Sequence, residues 1–189
     1  MKLRKLFAFT AAAAIFAALG FSAEAANAAE APLAGDKKAL VVYFSKTGNT
    51  QGVAETVAKL TGAELFRLET VEPYPDDYHT STEVAKRQLE EDARPALKAV
   101  PQDLARYDVV FLGHPVWWHT IPTPVMTFLD GAKLDGKTII PFCTHGGGGA
   151  DESTGAIRKL APKSTVLEDK EFYGGASEEE IAEWIASLK

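Results

Sequence analysis

The chain has 189 residues, of which 46% are hydrophobic and 24% are charged, a composition that is ordinary for a globular protein. Its 26 acidic residues outnumber its 20 basic residues, and the net charge of −6 argues against the basic face that nucleic-acid binding requires. We therefore predict no nucleic-acid partner. A single cysteine excludes an internal disulfide framework and any zinc site built on several thiolates.

The first residues have the layout of a secretory signal peptide. Three basic residues precede an apolar run from Leu6 to Phe21, and small residues suited to cleavage follow. The run is shorter than the roughly 20 apolar residues that a membrane-spanning helix needs. We therefore predict a signal peptide over 1–28, a flexible leader over 29–38 and one domain over 39–189. The protein is expected to be exported, to the periplasm or the medium, with no stable membrane anchor after cleavage.

Strands and helices are predicted to alternate along the rest of the chain. Residues 39–44 form a continuous apolar run, typical of a strand buried on both faces, and apolar residues at helical spacing follow it. Further strands are predicted at 64–69, 108–113, 138–143 and 165–172, and further helices at 124–129, 153–160 and 177–188. This alternation predicts an α/β fold with a five-stranded parallel sheet, doubly wound by helices on both faces.

Two stretches depart from this simple pattern. The long segment 71–107 contains seven charged residues between Glu83 and Arg94, which we interpret as the solvated face of a helix. A surface for docking a partner is the alternative interpretation of that stretch. Pro141 has no N–H to donate to a neighbouring strand, so we expect a local bulge where it interrupts the fourth strand.

Polar, glycine and aromatic residues directly follow three of the predicted strands. Ligands of an open parallel sheet bind beyond the carboxyl ends of its strands, so these three loops are expected to form one site. The loops are Ser45–Thr50 with the sequence Ser-Lys-Thr-Gly-Asn-Thr, His114–His119 with His-Pro-Val-Trp-Trp-His, and Thr144–Gly149 with Thr-His followed by four glycines.

Each loop suits one part of a phosphate-bearing aromatic ligand. Hydroxyls and backbone N–H groups at the start of a helix form a phosphate cradle, in which Gly48 permits a tight turn. Adjacent tryptophans offer a flat wall to an aromatic ring, and a run of glycines leaves N–H groups open to a polar ring edge. Each loop also has a purely structural interpretation, respectively a helix cap, aromatic packing and a mobile loop.

Taken together, these loops resemble those of the flavodoxin superfamily, and the resemblance covers almost all of 39–189. Ser45–Thr50 resembles the phosphate loop, while Pro115–Trp118 and the later Thr144-x-Gly-Gly resemble the ring-binding loops of flavodoxin-like proteins and flavin-dependent quinone reductases. The resemblance implies the strand order 2-1-3-4-5 and FMN as the cofactor. The residues that it assigns to FMN are Ser45, Lys46, Thr47, Gly48, Asn49, Thr50, Pro115, Val116, Trp117, Trp118, His119, Thr144, His145, Gly146 and Gly147.

Three functions are compatible with this resemblance. The first, which we predict, is electron transfer by an exported redox carrier that docks on a redox partner protein. The second is an FMN-dependent NAD(P)H:quinone-type oxidoreductase acting on a small quinone-like acceptor. In that enzyme His119 is the candidate catalytic acid, because an imidazole exchanges protons near neutral pH. The third is a flavin-free exported binding module that keeps only the fold.

Two competing motifs carry less weight. Gly131–Thr138 matches the nucleotide P-loop pattern, but a predicted helix precedes it and a strand follows it, the reverse of what phosphate binding needs. The predicted strand ends also carry His114, His119, His145 and Cys143. Their spacing matches no familiar zinc pattern, so we predict no metal site. Cys143 is expected to pack as a small buried apolar residue.

Overall fold

The computed structural model describes Leu33 and residues 36–150 and 152–188, so the predicted signal peptide lies outside the described residues. No helix within these ranges is long and apolar enough to cross a membrane. The helices and strands are β1 Ala39–Phe44, α1 Asn49–Thr61, β2 Glu64–Leu68, α2 Tyr78–Glu90, β3 Val109–Pro115, α3 Thr123–Gly131, β4 Thr138–His145, α4 Ser153–Leu160, β5 Thr165–Val166, β6 Lys170–Tyr173 and α5 Glu178–Ala186.

The strands form one parallel sheet with the order β2-β1-β3-β4-β5, and β6 also pairs with β4. The predicted α/β fold and the strand order 2-1-3-4-5 are therefore confirmed. β1, β3 and β4 pair without a shift in register, so that Val41 lies beside Phe111 and Phe111 beside Ile140. This unbroken pairing sets the loops after the three strands side by side at one edge of the sheet.

The sheet separates two hydrophobic cores, because successive side chains of a strand point to opposite faces. On one face Val41 and Tyr43 pack with α1 and α5, and on the other Leu40 and Val42 pack with α3 and α4. Trp184 of α5 closes the first core by edge-to-face contacts with three buried phenylalanines, Phe111, Phe142 and Phe172. The continuous apolar runs of the central strands follow from this burial on both faces.

The predicted single strand over 165–172 is wrong, because the chain there forms two short strands. Thr138 pairs with Thr165, whereas Phe142 pairs with Lys170, so the edge segment advances five residues while β4 advances four. Pro141 lies in this interval and has no N–H to donate. The expected bulge is therefore not in β4, which pairs with β3 without interruption through Pro141; the extra residue belongs to the segment beside β4.

The charged stretch between β2 and β3 contributes to α2. This helix begins after Asp77, whose carboxylate accepts a hydrogen bond from the Thr80 backbone at 2.8 Å. Hydrogen bonds from Thr80, first from its hydroxyl and then from its backbone, hold the pKa of Asp77 below its usual value. Ser81 and Ala85 are buried, and the helix packs beside α3. Its charged residues Glu83, Lys86, Arg87 and Glu90 are exposed, as predicted for a solvated face.

Gly113, in the middle of β3, is expected to reject any side chain. A Cβ there would lie 2.7 Å from Cε2 of Phe142 and 3.0 Å from Cβ of Tyr43, and both residues are buried. Gly113→Ala is therefore expected to lower the free energy of unfolding by about 1–3 kcal/mol in urea denaturation. The control Gly155→Ala, in α4 with nothing within 4 Å, should raise it by about 0.5–1 kcal/mol. An unchanged stability for Gly113→Ala would contradict the packing.

Candidate functional site

A cavity of about 540 Å³ opens at the carboxyl ends of β1, β3 and β4. The structure brings twelve of the fifteen residues assigned by resemblance to its wall: Lys46, Thr47, Asn49, Thr50, Pro115, Val116, Trp117, Trp118, His119, Thr144, His145 and Gly146. The other three, Ser45, Gly48 and Gly147, do not line it. The three predicted loops thus converge on one space, of a size common for ligand pockets.

The first loop is shaped by the two residues that do not reach the cavity. The buried hydroxyl of Ser45 accepts a hydrogen bond from the Gly48 backbone at 3.2 Å, which closes the turn before α1. Gly48 has φ of 98°, a left-handed conformation that glycine adopts without a steric penalty. Ser45 and Gly48 therefore form the turn, while Thr47 and Asn49 line the cavity.

The start of α1 offers hydrogen-bond donors to the cavity. The first N–H groups of a helix have no partner within the helix, no side chain caps this one, and no acidic residue lies in its first turn. Thr50, at this end, hydrogen-bonds through its hydroxyl to that of Thr144 at 2.8 Å, and both residues are buried. This contact joins the first loop to the third. The donors and the positive end of the helix dipole suit an anion.

The two adjacent tryptophans have different roles. Trp117 is partly buried and packs against the core, with edge-to-face contacts to Phe44 and Tyr74 at ring distances of 5.4 and 4.9 Å. Trp118 is 40% exposed, and its indole N–H donates to the Thr82 carbonyl at 3.2 Å. The structural interpretation of the tryptophan loop thus holds for Trp117, whereas Trp118 lies in the open as a candidate wall for an aromatic ring.

Trp118 and His119 form the corner of a tight two-residue turn. Trp117 and Thr120 exchange backbone hydrogen bonds of 3.0 and 3.1 Å across it. The φ angles of Trp118 and His119 are 51° and 66°, a left-handed conformation that turns of this kind require and that usually selects Asn or Gly. Such residues are strained, and they persist where the surrounding structure fixes them. Here the Glu152 N–H donates to the His119 carbonyl at 3.2 Å.

The histidines at the cavity differ in their hydrogen bonds. His145 accepts from the Gly147 backbone at Nδ1, at 3.1 Å, and its Nε2 lies 3.2 Å from a carboxylate oxygen of Glu171. These partners place the ring proton on Nε2. The exposed ring of His119 makes no hydrogen bond within the described ranges. His119 is therefore free to exchange a proton at the mouth of the cavity, whereas His145 holds the glycine loop.

The metal alternative gains no support from the geometry. Within residues 36–150 and 152–188 no three His, Cys, Asp or Glu side chains lie close enough together to hold an ion. Cys143 is fully buried. Burial, and after it the negative charges of Asp169 and Glu171, raise the pKa of its thiol far above the usual range. The thiol therefore stays protonated and packs as an apolar group.

One wall of the cavity was missed by the sequence analysis. Tyr78, Ser81, Thr82 and Ala85 of α2 line it at helical spacing, and the glycines Gly148 and Gly174 complete the rim. Lys86 on the same helix places its ammonium 5.3 Å from the ring centre of Trp118. The spacing of these small and polar residues indicates one face of a helix that could line a site. The charged residues on the same helix favoured the interpretation as a solvated face instead.

Solved structures of similar proteins share this architecture. A protein from Bacteroides eggerthii assigned as a flavoprotein is 31% identical, with a TM-score of 0.73 over 81% of this chain and 98% of its own. A Lactobacillus acidophilus flavoprotein in complex with FMN is 24% identical, with a TM-score of 0.66 over 79% of this chain and 99% of its own. Oxidised flavodoxin 1 from Bacillus cereus is 16% identical, with a TM-score of 0.54 over 80% and 97%.

The family comparison covers the whole of the described fold. The flavodoxin family model matches residues 38–188, from just before β1 to the end of α5. All three loops that line the cavity lie inside this match. The chain belongs to the flavodoxin family.

Proposed function

We propose that this chain binds FMN and works as an exported electron carrier. One observation carries the proposal: a single cavity joins a donor-rich helix start to an exposed tryptophan, and FMN joins a phosphate to an aromatic ring. The FMN complex of the similar Lactobacillus acidophilus flavoprotein supports the choice of ligand. When bound, FMN supplies the redox chemistry, because its ring takes up and releases electrons.

The chain's own groups fit the phosphate. The N–H groups at the start of α1, with the hydroxyl of Thr47 and the amide of Asn49, offer neutral donors in the absence of a nearby acidic cap. Lys46 also lines the cavity, although its ammonium donates to the Asp76 carbonyl at 3.3 Å. The phosphate is thus expected to be bound mainly by backbone and hydroxyl donors, with Lys46 as a nearby positive charge.

The ring end is walled on one side by Trp118 and on the other by the glycine loop. The indole is held against α2 by Thr82 and Lys86, which fixes the plane of the wall. Gly146 and Gly148 bring bare backbone to the cavity, as a polar ring edge requires. His145, donating from Nε2 to Glu171, fixes the loop through the Gly147 N–H.

The carrier role is supported by the aromatic residues around the opening. Tyr78 is 81% exposed on α2, and Tyr173 is 75% exposed beside the glycine loop, where it contacts the ring of His145. With Trp118 they place three large rings in solvent around one mouth. Tyrosine and tryptophan dominate the contacts of protein interfaces. A redox partner protein docking here would come close to the bound ring.

The reductase is the second candidate, and His119 favours it. Its ring lies at the cavity wall, exposed and without a hydrogen-bond partner in the part of the chain that the structure describes. It is therefore positioned to give a proton to an oxygen of a small acceptor stacked on the open side of the ring. A carrier has no small acceptor to which the same ring could transfer a proton.

FMN binding is tested at Gly48. A side chain there meets no atom within 4 Å, so Gly48→Val acts only through the left-handed φ of 98°, which it forces to change. The turn that aims the N–H groups should open, and the affinity for FMN, measured by quenching of flavin fluorescence, should fall at least about tenfold.

The matched control is Gly136→Val, before β4 at the opposite edge of the sheet. Gly136 has φ of 74° and also has nothing within 4 Å. The two variants should lose similar stability, about 1–2 kcal/mol, while only Gly48→Val loses affinity. Equal affinities would argue against the assigned phosphate loop. If the wild-type protein does not quench FMN fluorescence at all, FMN binding is wrong and the flavin-free binding module is favoured.

Carrier and reductase are separated by turnover with the FMN-loaded protein. The carrier should show no quinone reduction with NADH or NADPH and should exchange electrons rapidly with a redox protein. If the protein is a reductase with His119 as the acid, His119→Ala should lose about tenfold or more in turnover while keeping FMN. The control His79→Ala, on the exposed surface of α2, should change neither property.

We further propose export of the mature domain, on the basis of the sequence over 1–28. Expression in a bacterial host with a periplasm should yield a soluble product in the exported fraction whose mass and N-terminal sequence correspond to cleavage after Ala28. Replacing apolar residues of the 6–21 run with aspartates should retain the full-length chain inside the cell. Full-length wild-type protein in the cytoplasm would contradict export.

A further inference from the structure

Two ionisable side chains, His114 and Asp169, are buried together near the tryptophan loop. His114 ends the buried part of β3 with a side chain that is 0% exposed, and the side chain of Asp169 is 4% exposed. The Nε2 atom of His114 lies 2.9 Å from a carboxylate oxygen of Asp169. Neither residue lines the cavity, so the pair is not part of the ligand contacts described above. Burying an ionisable pair takes both groups out of water, which is costly.

Asp169 reaches this position through the shift in register at Pro141. It lies between β5 and β6, in the segment where the edge gains one residue relative to β4. Its own backbone N–H is satisfied by the Thr154 hydroxyl at 3.2 Å. Its second carboxylate oxygen has no hydrogen-bond partner in the described part of the chain, and His114 hydrogen-bonds to the first one.

The other ring nitrogen of His114 contacts the loop itself. Nδ1 lies 3.2 Å from the Pro115 carbonyl oxygen. The N–H on the far side of that same peptide bond, from Val116, donates to the Thr144 carbonyl at 2.9 Å. The peptide between Pro115 and Val116 is thus held at both its oxygen and its nitrogen, two residues before the strained turn at Trp118.

The partners of His114 determine its protons. A backbone carbonyl only accepts hydrogen bonds, and so does an ionised carboxylate, so a ring that satisfies both partners donates from Nδ1 and from Nε2. A ring that donates from both nitrogens is an imidazolium, which the carboxylate of Asp169 would neutralise. This differs from His145, which accepts at Nδ1, and from His119, whose ring is unengaged.

We propose that His114 and Asp169 are a positioning pair for the flavin site. By fixing the Pro115–Val116 peptide they hold the backbone that leads into the left-handed turn, and so keep the Trp118 indole where it forms the ring wall. The inference rests on the proposed FMN binding for its functional consequence. Its structural part, a doubly protonated His114 that fixes the position of Trp118, concerns the protein without ligand.

The structural part is tested by ¹⁵N NMR of the ligand-free protein. The His114 ring should show two protonated nitrogens, and Asp169→Asn, which removes the negative charge, should reduce them to one. An unprotonated Nδ1 in the wild type would overturn the proposal, because the carbonyl of Pro115 would then have no donor. The rings of His119 and His145 serve as internal references in the same spectrum.

The positioning role is tested with His114→Gln and Leu134→Ala. The glutamine amide can still donate to Asp169 in place of Nε2, so the fold is kept, but the Pro115 carbonyl loses its donor. Leu134→Ala removes a buried side chain at the opposite edge of the sheet and controls for lost stability. The chemical shift of the Trp118 indole N–H should change in His114→Gln and be unchanged in Leu134→Ala. The chemical shift of the Trp184 indole N–H should be unchanged in both variants.

The affinity for FMN completes the test. His114→Gln should bind FMN about fivefold or more weakly than the wild type, and Leu134→Ala within about twofold of it. If the two variants match each other in both Trp118 signal and affinity, the pair is merely structural and the proposal is wrong. If the wild type binds no FMN while the Trp118 signal still moves in His114→Gln, the proposed function fails and the positioning of the loop stands.

Discussion

The site depends on the unshifted parallel pairing of β1, β3 and β4. Because these strands keep one register, the residues that end them, Phe44, Pro115 and His145, lie at one edge of the sheet. The loops that follow these strands therefore cover the same cavity. The hydrogen bond between the hydroxyls of Thr50 and Thr144 ties the first loop to the third, and that of Val116 to Thr144 ties the second. Thr144 is therefore the residue on which all three loops meet.

The strained backbone of the second loop is held in place by this arrangement. The turn at Trp118 and His119 adopts a conformation that neither residue favours, and a free loop of this sequence would relax out of it. It is held from below through the Pro115–Val116 peptide and from the side by Thr82, Lys86 and Glu152. Most of the holding contacts lie outside the loop, so the geometry of the ring wall is a property of the whole carboxyl edge.

The sequence was informative where one short segment determines its own structure. Apolar runs predicted β1, β3 and β4, and alternation over 64–69 predicted β2. The helix over 124–129 was found within Thr123–Gly131, because burial of one stripe leaves a local pattern. An irregularity in the sheet at Pro141 was predicted, because the missing N–H is a property of that residue. Its location in the neighbouring segment was not predicted, because strand pairing depends on distant residues. The α2 wall, from Tyr78 to Ala85, was missed because its approach to the cavity depends on tertiary packing. For the same reason nothing in the sequence distinguished Trp117 from Trp118.

The sequence also does not distinguish His114, His119 and His145, which the structure separates by their hydrogen-bond partners. All three follow strands closely and look equivalent in the sequence, yet each is bonded differently. His114 faces two acceptors in the core, His145 faces one donor and one acceptor, and the ring of His119 faces solvent. A ring with both nitrogens engaged cannot exchange a proton with a ligand without breaking a bond that holds a loop. Of these three histidines only His119 therefore has a ring that is unengaged in the described part of the chain, whereas His114 and His145 maintain the shape on which binding depends.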